Sequence, residues 1–185
     1  MCQIKYSKCV KWNVTDLSSL VYNLYKNNNV IIIGLKGGGK TTTAKQKAKS
    51  FIEFQDEDKR ENYLLIANTH PSELLKCEKP RLFDEWQDAP KIWGAIRKDI
   101  NGSRKVGQYI LTGSSSADVK TPHTGTLRIS RMKMYPMSLY ESDESNGEVS
   151  LQSLFDSPMS FEGCKSSLSV DELKFVICRG GGQLV

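Results

Sequence analysis

Val30-Ile-Ile-Ile-Gly-Leu-Lys-Gly-Gly-Gly-Lys-Thr-Thr42 is the stretch on which the reading of this chain turns. Val30 to Ile33 is a continuous β-branched run, which suits a strand buried on both faces of a parallel sheet. Gly34 to Thr41 then fits G-x-x-x-x-G-K-T/S in full. Four fixed positions match by chance in about one chain in a hundred of this length, judged from average residue frequencies. Here the motif also sits between a strand pattern and a helix pattern, which is the context it needs.

The chemistry explains each position. Gly34, Gly37, Gly38 and Gly39 let the backbone turn so that successive N–H groups point inward as an anion nest. The helix that follows adds its N-terminal dipole. Lys40 is a point charge for β and γ phosphates, with Thr42 beside it in the binding set. The Thr41 hydroxyl is a ligand for Mg²⁺, which keeps most of its waters. These residues predict a phosphate-binding loop for a magnesium nucleotide, with ATP as the expected one.

Such a loop needs a carboxylate near the metal at the end of a neighbouring strand. Arg81-Leu-Phe-Asp84-Glu85 supplies one: Asp84 for Mg²⁺ through water, and Glu85 to orient or deprotonate the attacking water. Tyr109-Ile-Leu-Thr112-Gly-Ser114 is a further strand ending in hydroxyls, so Thr112 or Ser114 can sense the γ phosphate. Arg128 and Arg131 are candidates for an arginine finger acting across a subunit interface. His70 and His123 are isolated and receive no metal role.

Apolar spacing predicts the remaining elements. Helices are expected over residues 16–27, 40–54 (Ala44, Ala48, Phe51 and Ile52 inward), 71–76 and 92–100. Strands are expected at 30–33, 63–67, 82–83, 109–111 and, as an edge, 129–134. Strands alternating with helices imply an α/β fold with a mostly parallel, five-stranded sheet. Residues 1–140 are expected to form the core; 141–185 read as a polar connector and the start of a second region with two weak helical patterns.

Bulk properties agree with a soluble globular chain: 185 residues, 38% hydrophobic and 25% charged. No apolar run approaches the roughly 18 residues of a membrane span, so no membrane association is expected. The five cysteines form no CxxC pair, and an odd count suggests reduced thiols in a cytoplasm. Charge is uneven. Residues 1–135 carry 23 Lys and Arg against 13 Asp and Glu, a net +10, while residues 136–185 carry 3 against 8, a net −5. The basic part is mostly solvated surface and phosphate-site lysines, but it can also attract nucleic acid.

Three segments together resemble a known family. Leu82-Phe-Asp-Glu-Trp-Gln-Asp-Ala-Pro90, Gln108-Tyr-Ile-Leu-Thr-Gly-Ser114 and Met134-Tyr-Pro-Met-Ser-Leu-Tyr-Glu141 look like the AAA+-type prokaryotic ATPases that carry a C-terminal domain of unknown function (the AAA_14/DUF4143 type). The resemblance implies an AAA+ core with a central parallel sheet, binding ATP and Mg²⁺. It makes Lys40 and Thr41 the Walker A pair, Asp84 and Glu85 the Walker B pair, and Thr112 or Ser114 the sensor. His123-Thr-Gly-Thr-Leu-Arg128 resembles the family's His-Ser-Gly-x-Gly-Arg stretch, which puts Arg128 ahead of Arg131 as finger. The chain is shorter than such proteins. Arg179-Gly-Gly resembles their passage into the C-terminal domain, and Gly182 stands where a tryptophan is expected. The helical lid and C-terminal domain are therefore expected to be missing.

Three functions compete on these grounds. One is Mg-dependent ATP hydrolysis, by the chain alone or as a homo-oligomer that supplies Arg128 in trans. The second is a nucleotide-dependent switch that presents a surface to DNA or protein with little hydrolysis. The third is a truncated product. A kinase is weaker, since neither an acceptor site nor a lid is evident.

Overall fold

The β-branched run beginning at Val30 becomes the strand β1, Val30–Gly34, in the computed structural model, which describes Tyr22 and residues 29–103, 105–114, 129–157 and 163–179. The elements that follow are α1 (Lys40–Lys45), β2 (Ser50–Glu53), α2 (Arg60–Thr69), a 3-10 turn (Pro71–Leu75), β3 (Arg81–Asp84), a second 3-10 turn (Trp86–Asp88), α3 (Ile92–Ser103), β4 (Tyr109–Ser114) and β5 (Ser130–Met134). The five strands form one sheet in the order β2-β3-β4-β1-β5, and every pairing is parallel. The expected edge strand is an edge: β5 pairs only with β1 among the described residues.

Both faces of this sheet are covered, as a β-branched central strand requires. Val30 and Ile32 point to one face, against Ala44 of α1, Leu82, Ile110, Met132 and Met134. Ile31 points to the other, where α2, α3 and the 3-10 turns pack over Ile52, Phe83, Tyr109 and Leu111. A row of rings ties three strands together there: Phe54 stacks on Phe83 at 6.3 Å, and Phe83 lies 6.1 Å from Tyr109. Asn29 is fully buried, and its Oδ1 accepts the Tyr109 backbone N–H at 2.9 Å, pinning the start of β1 to β4.

Two expectations fail, and for related reasons. The helix read over 40–54 stops at Lys45, and its second half is the strand β2. Ala44, Ala48, Phe51 and Ile52 satisfy the helical template, but Ile52 and Phe54 also satisfy a period of two, and that period prevails. Ile52 and Phe54 are buried while Phe51, expected inward, is 54% exposed under the Lys45 ammonium. The deciding factor is long-range: Ser50–Glu53 forms a backbone ladder with Arg81–Asp84. The strand read at 63–67 lies inside α2. A short apolar run does not distinguish a strand from a helix segment, and here Leu65 faces solvent while Ala67 is buried. The fifth strand is therefore 50–53, not 63–67. The helix expected over 16–27 lies outside the described residues, except that Tyr22 is helical.

By their contacts, the described residues up to Tyr135 form one compact unit, and those from Pro136 belong to a second. The second unit holds α4 (Leu151–Asp156) and α5 (Val170–Arg179). Ser150 and Ser153 cap α4 reciprocally, each side chain accepting the other's backbone N–H at 3.0 Å. The Arg179 guanidinium grips Glu144 with two hydrogen bonds, at 2.8 and 2.6 Å, and holds that carboxyl below its usual range. No helix among the described residues is long and apolar enough to cross a membrane.

Candidate active site

The carboxyl ends of β1, β3 and β4 meet on one edge of the sheet, and the sequence places its chemistry there. β1 ends at Gly34, where β5 runs so close that an added Cβ would lie 2.3 Å from the Met134 carbonyl oxygen. The chain then turns through Leu35 to Gly39. Gly37 and Gly39 have φ of 77° and 81°, a left-handed conformation open to glycine at little cost. Gly39 is also the N-cap of α1 and brings no side chain to the first-turn N–H groups. Lys40 is buried, and its ammonium donates to the Leu35 carbonyl at 2.8 Å, so it points back into the loop.

Thr41 reaches across to the acidic strand. Its hydroxyl donates to Asp84 Oδ1 at 2.6 Å. The Thr112 hydroxyl donates to the same oxygen, and it accepts the Glu85 backbone N–H at 3.3 Å. Thr112 is fully buried on β4, the strand between the loop strand and the acidic strand. Its hydroxyl is thus engaged with the two acids, and Ser114, level with Gly34, stands at the tip of the strand. Thr42 lies beside Thr41 in the first turn of α1 and is exposed.

Glu85 is non-glycine with φ 52°, a conformation that costs a side chain energy. Its carboxylate accepts a hydrogen bond from the Gln87 side-chain amide. The other end of that amide, Gln87 Oε1, is buried with no hydrogen-bond partner among the described residues. It rests on Gly113, where an added Cβ would come within 2.9 Å of it. Sequence reasoning gave Gln87 no role. The only signal was its place two residues after the acid pair.

Of the finger candidates, Arg128 lies outside the described residues, as does His123. Arg131 sits on β5 level with Ile31, three residues short of the loop end, in the exposed row that alternates with Met132 and Met134. The described residues contain no cluster of three or more His, Cys, Asp or Glu suited to a metal. The oxygens on offer are the Thr41 hydroxyl and the Asp84 carboxylate, hard donors of the kind that Mg²⁺ accepts alongside phosphate and water.

A family profile described as AAA domain matches residues 26–142, more than half of the chain and all of the site just described. The chain belongs to the AAA domain family. It is accordingly a nucleotide-binding domain of the ATPase type. No curated protein matches the sequence. Among solved structures, PCH-2 of C. elegans aligns with this AAA domain at a TM-score of 0.38 and 13% identity, over 75% of this chain and 49% of that one. The chain spans about half the length of that structure.

Proposed function

We propose that this chain binds ATP with Mg²⁺ at Gly34–Thr42 and hydrolyses it, with Glu85 as the base that activates water. The observation that carries the reading is the 2.6 Å hydrogen bond from Thr41 to Asp84. These residues are 43 apart in sequence and lie on elements with no direct strand pairing, yet they meet beside the buried Lys40. Thr41 and Asp84 would hold Mg²⁺. When bound, the ion neutralises charge on the β and γ phosphates. Lys40 exchanges the Leu35 carbonyl for phosphate oxygens. Thr112 fixes the Asp84 carboxylate and the Glu85 backbone, and Glu85 takes the proton from water. Arg128 is the preferred finger, supplied by a neighbouring copy in a homo-oligomer, with Arg131 next. The exposed free cysteines Cys77, Cys164 and Cys178 support a reducing, cytoplasmic setting.

The test is ATP binding and phosphate release by the wild type, Glu85→Gln and Lys40→Ala. Glu85→Gln is expected to bind ATP normally and lose turnover about a hundredfold or more. Lys40→Ala is expected to weaken both. Wild-type turnover in Glu85→Gln would remove Glu85 from its role.

One observation favours a second reading, a nucleotide-dependent switch with little hydrolysis. The Glu85 carboxylate is already engaged by Gln87 in a strained backbone conformation. A purified chain that binds ATP but releases no phosphate at any protein concentration would support this reading. The net +10 of residues 1–135 makes DNA a partner to try first, with protein next.

A further inference from the structure

A second concave feature opens at the other edge of the sheet. A cavity of about 1080 Å³ lies between the 3-10 turn Pro71–Leu75, α3 and the loop before β4. It is open to solvent and slightly larger than the roughly 300–1,000 Å³ of typical small-molecule sites. Lys79 and Gln108 line it, and they stand just before β3 and β4. The cavity is therefore at the amino ends of strands whose carboxyl ends carry Asp84 and Ser114. At roughly 3.3 Å per residue, the length of a strand separates the two sites.

Five lysines line it, Lys76, Lys79, Lys91, Lys98 and Lys105, against a single acid, Asp99. Asp99 is engaged: its Oδ2 accepts the Tyr109 hydroxyl at 2.6 Å. Lys76 pairs with Glu73, and Lys91 donates to the Asn68 carbonyl at 3.4 Å. Lys79, Lys98 and Lys105 make no ion pair or hydrogen bond among the described residues.

A merely solvated lysine face would need none of three further features. First, the Lys79 ammonium is buried with no hydrogen-bond acceptor among the described residues, 3.6 Å over the Tyr109 ring. Second, the Ser103 hydroxyl, also on the lining, is buried and likewise unpartnered among the described residues. Third, Gly94 and Gly102 flank Lys98 at four-residue spacing on one face of α3, and an added Cβ at either meets nothing within 4 Å. Packing among the described residues does not require these glycines, and glycine lowers helix stability. They leave a bare floor on which the body of a ligand can rest.

We propose that this lysine-rimmed cavity is a second anion site, and that it takes a ligand carrying several phosphate groups. Lysine binds phosphate as a point charge. Four ammonium groups without an ion pair among the described residues, around one engaged acid, call for more than a single negative charge. Lys79 and Ser103 supply the donors at the floor, and Lys98 and Lys105 close the rim.

The experiment uses the full chain carrying Lys40→Ala, so that the glycine-rich loop does not take up the probes. Inorganic tripolyphosphate is titrated by calorimetry and a short labelled oligothymidylate by fluorescence anisotropy. At least one is expected to bind, and adding Lys98→Glu with Lys105→Glu to weaken it about tenfold or more. Lys165→Glu with Lys174→Glu changes the net charge equally and is expected to leave binding in place. Binding of the oligothymidylate alone assigns the phosphates to a nucleic-acid backbone; tripolyphosphate alone assigns them to a small soluble anion. Gly94→Leu fills the floor, so it is expected to lose binding while its melting temperature holds or rises. The proposal is overturned if neither probe binds, if both lysine pairs weaken binding equally, or if Gly94→Leu binds like its parent.

Discussion

The Thr112 hydroxyl and the Asp84 carboxylate are bound to each other on adjacent strands, and the same hydroxyl receives the Glu85 backbone N–H. One buried side chain therefore sets the position of both acids. Thr112→Val keeps the shape and removes both hydrogen bonds. It is expected to cost about 1–3 kcal/mol of stability, the penalty for buried groups left unsatisfied. Turnover is expected to fall about 10- to 100-fold, as when the groups that orient a metal-site ligand are lost. Thr112→Ser restores most of both. Denaturant unfolding and steady-state phosphate release measure the two effects.

Gln87 donates to the Glu85 carboxylate. If that contact orients the base for hydrolysis, Gln87→Ala lowers kcat about tenfold and leaves the KM for ATP unchanged. A rise in kcat would mean that Gln87 restrains the base, and would favour the switch reading.

Glu85 itself has a left-handed backbone at φ 52°. Glu85→Gly removes the strain along with the carboxylate. It is expected to raise stability by about 1 kcal/mol and to abolish hydrolysis. Opposite signs for stability and activity would identify Glu85 as a residue kept for chemistry at a cost in folding. The readouts are urea unfolding and phosphate release on the same preparation.

Burial lowers the Lys79 ammonium to about 8, with the Arg81 charge adding to the effect and Asp99 opposing it. The folded chain thus sheds this proton more easily than the unfolded chain. Between about pH 8 and 10.5 the unfolded state binds more protons, so this group's contribution to stability rises with pH. Lys79→Met lacks that contribution. Its stability relative to wild type is expected to fall by about 1 kcal/mol between pH 7 and pH 10.5, a value discounted because the side chain as a whole is only half-buried although its ammonium is covered. Urea unfolding of both proteins at the two pH values checks the sign.

The parts of the fold legible in sequence were those with a local signature. Val30 to Ile33 is β-branched throughout, and Ile92, Ala95, Ile96 and Ile100 recur at helical spacing; the strand Val30–Gly34 and the helix Ile92–Ser103 form on those two patterns. Residues 40–54 and 63–67 lack such a signature, because their local patterns fit two templates. Pairing with β3 settled the first, and packing of Ala67 into the core settled the second. The same division holds at the site. Lys40, Thr41, Asp84 and Thr112 were legible because a motif or a strand end marked them. The Gln87 contact was not, since it depends on the left-handed turn at Glu85 and on the space left by Gly113. Neither feature has a pattern in the sequence.

The sheet order has a consequence for how the chain can tolerate change. Because β4 lies between β1 and β3, the distance from phosphate loop to acids is gauged by a single strand. Two strand spacings, about 9.6 Å, span the gap, and Thr112 fills its middle. Among the described residues the outer strands β2 and β5 each pair with one neighbour, so drift in their exposed rows leaves the gauge unchanged. A bulkier residue at Thr112 or Gly113 would widen it everywhere at once.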